Sequence, residues 1–131
     1  MKTAIIRGFR DCFNFKDRSS RSEIWFFYFF SQICFFFAYI IDLQFNFLLF
    51  QITFFDIINQ IPLQINIGHL LFFLFLLFII PLMAMNVRRF HDINLSGWWA
   101  LVSFIIFGFI ACFIVWAIKG NDSQNNYGPV P

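Results

Sequence analysis

The chain has 131 residues, of which 60% are hydrophobic, 24 are Phe and only 12% are charged, with a formal net charge of +2. Soluble domains contain roughly a quarter charged residues and less than half apolar ones. This composition excludes a water-soluble fold, and the length allows one small domain.

Three long apolar stretches predict membrane-spanning helices. They run over Ile24–Ile41, Ile67–Val87 and Trp98–Ile118 and contain 18, 21 and 21 residues. A helix needs about 20 apolar residues to cross ~30 Å of hydrocarbon at 1.5 Å per residue. We therefore predict an all-α integral membrane protein, with three transmembrane helices in a single multi-pass domain over 1–131.

The segment before the first span is predicted to lie on the membrane surface. Basic and apolar side chains alternate over 1–19, as in amphipathic interfacial segments. Ser20 and Glu23 then have the spacing of a capping box, which predicts a first transmembrane helix over 20–41. The N-terminal segment is too long and too charged for a cleaved signal peptide, so we expect this helix to be an uncleaved anchor.

Polar side chains within the first helix form a narrow seam. Tyr28, Gln32 and Tyr39 fall within about 40° of one another at 100° per residue. We expect such a seam to face other helices rather than lipid.

The region between the first two spans has polar and apolar residues on different helical faces. A spanning helix here would place acidic and amide groups in the bilayer, at up to about 3 kcal/mol each. We predict an interfacial helix over 43–58, with a fourth membrane-embedded helix as the alternative. Pro62 and the asparagines around it predict a loop over 59–66.

The second transmembrane helix is predicted over 67–89. Pro81 lies inside it and should bend it, because the proline ring removes an amide donor. A loop is predicted over 90–97, in which Ser96 is a good N-cap for the next helix.

The third transmembrane helix is predicted over 98–118. Small residues on one side of it would permit close helix contact; they are Ala100, Gly108, Ala111 and Cys112. The polar tail, 119–131, is rich in Asn, Gly and Pro and is predicted to be irregular.

The distribution of Lys and Arg predicts the orientation. Six of them precede Ile24, none lies between Asp42 and Asn66, and Arg88 and Arg89 follow the second helix. The positive-inside rule then places the N-terminus and the arginine pair in the cytoplasm. Three crossings put the tail outside, whereas a re-entrant third helix turning back near Gly108 would return it to the cytoplasm.

Charged and aromatic residues gather at the cytoplasmic ends of the predicted helices. We call this group the collar; it comprises Arg18, Arg21, Glu23, Trp25, Arg88, Arg89, His91, Asp92, Ser96, Gly97, Trp98 and Trp99. Arg88 and Arg89 precede Asp92 by four and three residues and can pair with it across one helical turn. Two interpretations are open: recognition of a phosphate or carboxylate by arginine forks, or salt bridges and anchors that only fix helix packing.

The sequence contains no catalytic or metal-binding signature. His91 has no second His nearby, and Ser96 is explained as a cap without a base partner. Cys12, Cys34 and Cys112 lack metal-ligand spacing and are predicted to be packing residues. We therefore predict no cofactor and no metal.

The same regions of the chain resemble a known family. Phe15–Trp25 approaches the pattern Phe-x-Gly-Arg-x-x-Arg-x-Glu-x-Trp, with Asp17 in place of Gly, and 88–99 matches Arg-Arg-Leu-His-Asp followed by Ser-Gly-Trp-Trp, with Phe90 in place of Leu. The ending resembles Asn-Arg-Tyr-Gly-Pro-Asp-Pro through Asn125, Tyr127, Gly128 and Pro129, without its two charged residues. These patterns are similar to those of domain of unknown function 805, a family of small bacterial inner-membrane proteins. The resemblance implies a multi-pass protein but no agreed activity.

We therefore expect a non-enzymatic inner-membrane protein whose collar binds anionic lipid headgroups or a membrane partner protein. The alternative partner is a second copy of the chain in a homo-oligomer, and no role for nucleic acid is expected. One alternative is a subunit of an oligomeric channel or transporter, with the polar seam lining a path for a small solute. Another is a membrane enzyme acting on a lipid phosphate, with His91 as base and Arg88 and Arg89 as the phosphate clamp.

Overall fold

The computed structural model describes residues 2–45, 48–55, 62–105 and 108–131. The elements within these ranges are α1 (Lys2–Arg10), α2 (Arg21–Phe45), β1 (Leu48–Phe55), β2 (Pro62–Gly68), α3 (His69–Asp92), the 3-10 helix η1 (Gly97–Phe104) and α4 (Gly108–Ala117). The chain divides into two compact units. Unit 1 is Met1–Phe30 with Phe78–Pro131, and unit 2 is Ser31–Leu77.

Two helices in the described part of the chain are long and apolar enough to cross a membrane. They are α2, with 25 residues, and α3, with 24 residues; the mean hydropathy of their most apolar 18-residue stretches is 1.9 and 2.6. Only 22% and 28% of the residues in these stretches are buried, whereas the core helix of a soluble protein is mostly buried. The helices predicted over 20–41 and 67–89 are therefore present, and each continues three or four residues beyond its predicted end.

The start of α2 has the predicted capping box. The Ser20 amide donates to Glu23 Oε2 at 3.0 Å, and the Glu23 amide donates to Ser20 Oγ at 3.4 Å. Arg7 of α1 adds a bond of 2.6 Å from Nη1 to Glu23 Oε1. Gly8 lets α1 approach α2 closely, since a Cβ there would overlap the ring of Phe27. The amphipathic N-terminal segment thus begins as a helix that packs on α2 within unit 1.

The interfacial helix predicted over 43–58 is wrong where the structure describes it. Helix α2 continues to Phe45, and Leu48–Phe55 pairs as β1 with β2 in an antiparallel hairpin. This stretch is rich in aromatic and β-branched residues, which favour strands. The loop predicted over 59–66 is also wrong from Pro62 onward, because Pro62 begins β2, where a missing amide is tolerated. The remaining residues of both predictions lie outside the described ranges.

A buried aspartate in unit 2 joins the end of α2 to the start of α3. Asp42 is 1% exposed and accepts hydrogen bonds from the Leu70 and Leu71 amides, at 3.1 and 2.8 Å. A Cβ at Gly68 would overlap this carboxylate. The negative charge therefore satisfies free amide donors at the positive end of the α3 dipole.

The single continuous helix predicted over 98–118 is wrong where the structure describes this stretch. Helix η1 ends at Phe104 and is followed by Ile105, whose backbone is extended (φ −85°, ψ 143°), and α4 begins only at Gly108. Eight residues of 3-10 helix rise about 16 Å and ten of α-helix about 15 Å, each roughly half of the ~30 Å hydrocarbon. A Cβ at Gly108 would overlap the Val102 carbonyl, so glycine permits the close approach at this turn.

The segment 97–118 leaves the end of α3 and returns to it. Gly97 lies against His91, and the Ile118 carbonyl accepts a hydrogen bond from Arg89. Asn86 holds the returning helix, because its Oδ1 accepts from Trp116 Nε1 at 2.8 Å. Both ends of this stretch therefore lie near the end of α3. Of the predicted small-residue strip, Ala100, Gly108 and Cys112 are buried and Ala111 is exposed.

Candidate functional site

Asp92, the last residue of α3, binds two arginine side chains from distant parts of the chain. Its Oδ1 accepts from Arg18 Nε and Nη2 at 3.0 and 2.9 Å, and its Oδ2 accepts from Arg89 Nη1. All three residues are at most 3% exposed. One carboxylate balances only one of two buried guanidinium charges, so this triad requires further acceptors.

Backbone carbonyls from the C-terminal part of the chain supply those acceptors. Arg18 Nη1 donates to the Ser123 and Gly128 carbonyls at 2.8 and 3.2 Å, and its Nη2 donates to the Asn121 carbonyl at 2.6 Å. Together with the two bonds to Asp92, these use all five N–H donors of the guanidinium group. Arg89 Nη2 donates in the same way to the Ile118 carbonyl. The network therefore binds the tail to the collar.

Arg88 connects the N-terminal segment to α3. Its Nη1 donates to the Asp11 carbonyl at 3.0 Å, and its own carbonyl accepts from the Ser19 amide at 3.2 Å. The predicted pair of Arg88 with Asp92 is thus replaced by a backbone contact, whereas the predicted pair of Arg89 with Asp92 is present. The Asp11 carboxyl has a pKa below its ordinary value, chiefly because Arg10 donates a hydrogen bond to it.

His91 packs between the N-terminal segment and the tail. Its Nδ1 lies 3.3 Å from the Asp17 carbonyl, which can only accept, so Nδ1 carries the proton and Nε2 is the acceptor of the neutral ring. The ring stacks on Tyr127, with centroids 3.8 Å apart and planes inclined by 5°. Asn125 Nδ2 also donates to the His91 carbonyl at 2.8 Å.

The tail is irregular, as predicted, and three residues of its motif join the collar. Asn125 and Gly128 close a turn through two backbone bonds of 3.2 Å, and Gly128 has a φ of +124° that favours glycine. Tyr127 supplies the ring under His91. Pro129 is exposed.

The remaining collar residues have separate roles. Arg21 is exposed and donates to the Ala117 carbonyl at 3.3 Å. Ser96 caps η1 by accepting from the Trp98 amide. Trp98 and Trp99 are 79% and 54% exposed. The structure does not place Trp25 in the ionic network: it stacks on Phe113 and meets Trp116 edge-on, and so belongs to the packing of α2 against α4.

The polar seam of the first helix does not form one buried face. Tyr28, in unit 1, packs edge-on against Phe113 and Trp116. In unit 2, Gln32 and Tyr39 are exposed. The expectation that the seam faces other helices is therefore wrong for Gln32 and Tyr39 within this chain.

Most of the charged groups in the site are bonded to other groups of the chain. Among the residues that the structure describes, no three His, Cys, Asp or Glu side chains are grouped so that they could hold a metal ion. Asp92 is engaged by two arginines, and His91 by Asp17 and Tyr127. Sequence reasoning missed the backbone acceptors of Arg18 and Arg88, because carbonyl groups carry no residue-specific signal.

Comparisons with known proteins agree with this description. The family described as "Protein of unknown function (DUF805)" matches residues 12–129. Inner membrane protein YhaI of Escherichia coli (strain K12) is 32% identical over 73 residues, 55% of this chain and 62% of the relative. Inner membrane protein YhaH of the same strain is 35% identical over 57 residues, 43% of this chain and 47% of the relative. The chain thus spans less than two thirds of these curated relatives, and no solved structure matches it.

The family match covers all three residues of the ionic network, Arg18, Arg89 and Asp92. It includes Arg18, the Arg88–Asp92 block and the tail to Pro129. The relatives are inner-membrane proteins, as the composition and the apolar helices lead one to expect. The family predicted from the motifs is confirmed: this chain belongs to the DUF805 family of proteins of unknown function.

Proposed function

We propose that this chain is a non-enzymatic inner-membrane protein that binds anionic lipid headgroups at its cytoplasmic face. In this proposal the network of Arg18, Asp92 and Arg89 holds that face together, and other cations contact the lipid. The observation that carries the proposal is the division of unit 1 cations into buried and exposed sets. Arg18, Arg88 and Arg89 are buried, whereas the exposed set is Lys2, Arg10, Lys16, Arg21 and Lys119. The ninth cation, Arg7, is half-buried and pairs with Glu23.

The exposed cations differ in how far they are neutralised. Arg10 pairs with Asp11 at 3.0 Å, and Lys119 pairs with Asp122 at 2.6 Å. Lys16 and Arg21 have no ion pair within the described ranges. A Lys or Arg at an anionic membrane surface contributes about 1 kcal/mol to binding. Several exposed cations around the end of one helix therefore favour the binding of anionic lipid over neutral lipid.

Exposed aromatic side chains near the collar support the same location. Phe13 lies between α1 and the collar in the sequence, and Trp98 is the second residue of η1; both side chains are more than three-quarters exposed. Aromatic rings of this kind are enriched at the boundary between headgroups and hydrocarbon. They are suited to holding the collar at headgroup depth.

The proposed topology has two crossings, α2 and α3, with 97–118 as a re-entrant segment. The N-terminal segment and the tail then share the cytoplasmic side, in agreement with the positive-inside rule. The bonds from Arg18 to both Asp92 and the tail support this arrangement.

A lipid-retention experiment tests the proposal. The protein is reconstituted in bilayers of equal phosphatidylglycerol and phosphatidylcholine, extracted in mild detergent, and its retained lipids are counted by native mass spectrometry. Replacing Lys16, Arg21 and Lys119 by Gln should reduce the preference for phosphatidylglycerol over phosphatidylcholine by more than about tenfold. The reason is that each cation contributes about 1 kcal/mol to binding at an anionic surface.

The matched control exchanges the same cations without loss of charge: Lys16→Arg, Arg21→Lys and Lys119→Arg. This variant should keep the preference of the unmodified protein. Equal preference in the neutral and charge-conserving variants would contradict the proposal. Retention of a partner protein in place of lipid, lost in the neutral variant, would also overturn it and favour a scaffold.

A further inference from the structure

A groove in unit 1 runs along α3 from the collar into the apolar part of the helix. Its volume is about 430 Å³, within the range of roughly 300–1,000 Å³ usual for ligand sites. His91, Tyr127 and Ser96 line it at the collar, and Met83 and Leu101 line it farther along. His91 and Met83 are eight residues apart, about 12 Å along the helix axis. One end of the groove is therefore polar and the other apolar.

The polar end presents a hydrogen-bond acceptor. Because Nδ1 of His91 donates to the Asp17 carbonyl, Nε2 is the acceptor of the neutral ring. Gly97 keeps this edge open: a Cβ there would lie 2.9 Å from His91 Nε2 and 2.5 Å from Val87 Cγ1. An alanine at position 97 would occupy the space beside the imidazole. A ligand that bonds to His91 Nε2 must bring a donor.

The order of polar and apolar surface matches that of a lipid in the same leaflet. The collar end lies beside the exposed Trp98, which also lines the groove, and the apolar end lies along a helix long enough to span the bilayer. A glycerophospholipid places its headgroup and acyl chains in the same order along the bilayer normal. The bilayer itself can therefore supply the occupant.

We propose that this groove binds one acyl chain of a single anionic phospholipid whose headgroup carries a hydroxyl, and that this hydroxyl donates a hydrogen bond to His91 Nε2. The proposal rests on the proposed function and narrows it from any anionic headgroup to one with a hydroxyl donor. Phosphatidylglycerol is the probe.

The test compares two lipids with equal charge and equal acyl chains. Phosphatidylglycerol has headgroup hydroxyls, whereas phosphatidylmethanol has none. Each is mixed with phosphatidylcholine, and the lipid retained by the full chain is measured by native mass spectrometry. We expect one molecule of phosphatidylglycerol to be tightly retained per chain. It should be preferred over phosphatidylmethanol by about fivefold to tenfold, the factor that one neutral hydrogen bond contributes.

The outcomes separate this proposal from the broader one. Equal retention of the two anionic lipids, both above phosphatidylcholine, would overturn the hydroxyl site and leave the proposed function intact. No preference for either over phosphatidylcholine would overturn both. A second copy of the chain or a peptide seated in the groove, in place of lipid, would overturn the lipid site alone.

Two independent variants locate the binding. Leu101→Trp fills the apolar end, and Phe104→Trp adds an equally large ring at an exposed position of the same helix outside the groove lining. Only Leu101→Trp should lose the tightly bound lipid, and equal retention in the two would overturn the proposal. His91→Phe keeps a ring beside Tyr127 but lacks Nε2, and it should bring the preference between the two anionic lipids to about one.

Discussion

Replacing Asp92 by Asn tests whether the buried ionic network holds the collar together. The amide has nearly the shape of the carboxylate, so packing is preserved while the charge is removed. Its oxygen can still accept from Arg18, but its NH₂ group would face Arg89 Nη1, a donor opposite a donor. Two guanidinium groups would then remain buried without a counter-charge.

The expected destabilisation is large. Removing one partner of a buried ion pair costs about 3–5 kcal/mol, and here the carboxylate serves two arginines that are 2% and 0% exposed. Small domains have total stabilities of about 5–15 kcal/mol. We therefore expect Asp92→Asn to lower the unfolding temperature by more than about 10 °C.

The assay is thermal unfolding in mild detergent, followed by tryptophan fluorescence. Asp122→Asn is the matched control, because Asp122 also pairs with a cation, Lys119, but is largely exposed. An exposed pair contributes at most about 1 kcal/mol. Equal shifts for the two variants would refute the argument that burial of the network gives it its strength.

Three further predictions concern single contacts. Arg18→Lys keeps the charge but has three donors in place of five, so limited proteolysis should cut the tail faster than in the unmodified protein; unchanged cleavage would count against tail docking by Arg18. Gly120→Ala should destabilise the collar, since its Cβ would overlap the Asp92 carboxylate, and an unchanged unfolding temperature would disprove that close approach. Asp42→Ala should cost about 0.5–2 kcal/mol as a lost helix cap, with faster hydrogen exchange at the Leu70 amide; unaltered exchange there would argue against the cap.

Local patterns in the sequence were sufficient to predict the two long helices and the first turn of α2. Hydropathy over about 20 residues identifies α2 and α3, because crossing hydrocarbon requires that length whatever the tertiary structure. The capping box at Ser20 and Glu23 depends only on neighbours three residues apart. The pairing of Arg89 with Asp92 is local in the same sense.

The third apolar stretch shows where this reasoning fails. Hydropathy counts apolar residues and does not detect the extended backbone at Ile105 or the close approach at Gly108. The buried amide of Asn86, which accepts from Trp116, is the tertiary contact that holds the returning helix. The signal available in the sequence was Asn86 itself, because a polar side chain in an apolar helix requires a hydrogen-bond partner.

The collar was predicted as a group of residues but not as a network. Arg18 and Asp92 are 74 positions apart, and nothing in their spacing links them. The other acceptors of Arg18 are carbonyls of Asn121, Ser123 and Gly128, which any residues could provide. The tail motif was recognised by resemblance, whereas its docking depends on the return of α4 to the end of α3.

Cysteine accessibility tests the central claim of two crossings with a returning segment 97–118 most directly. In a chain with Cys12, Cys34 and Cys112 replaced by Ser, single cysteines are placed at His69, which begins α3, and at Val130 in the tail. Intact cells with a permeabilised outer membrane are treated with a membrane-impermeant maleimide. We predict labelling of His69→Cys in intact cells and of Val130→Cys only after lysis. Labelling of both in intact cells would contradict the account.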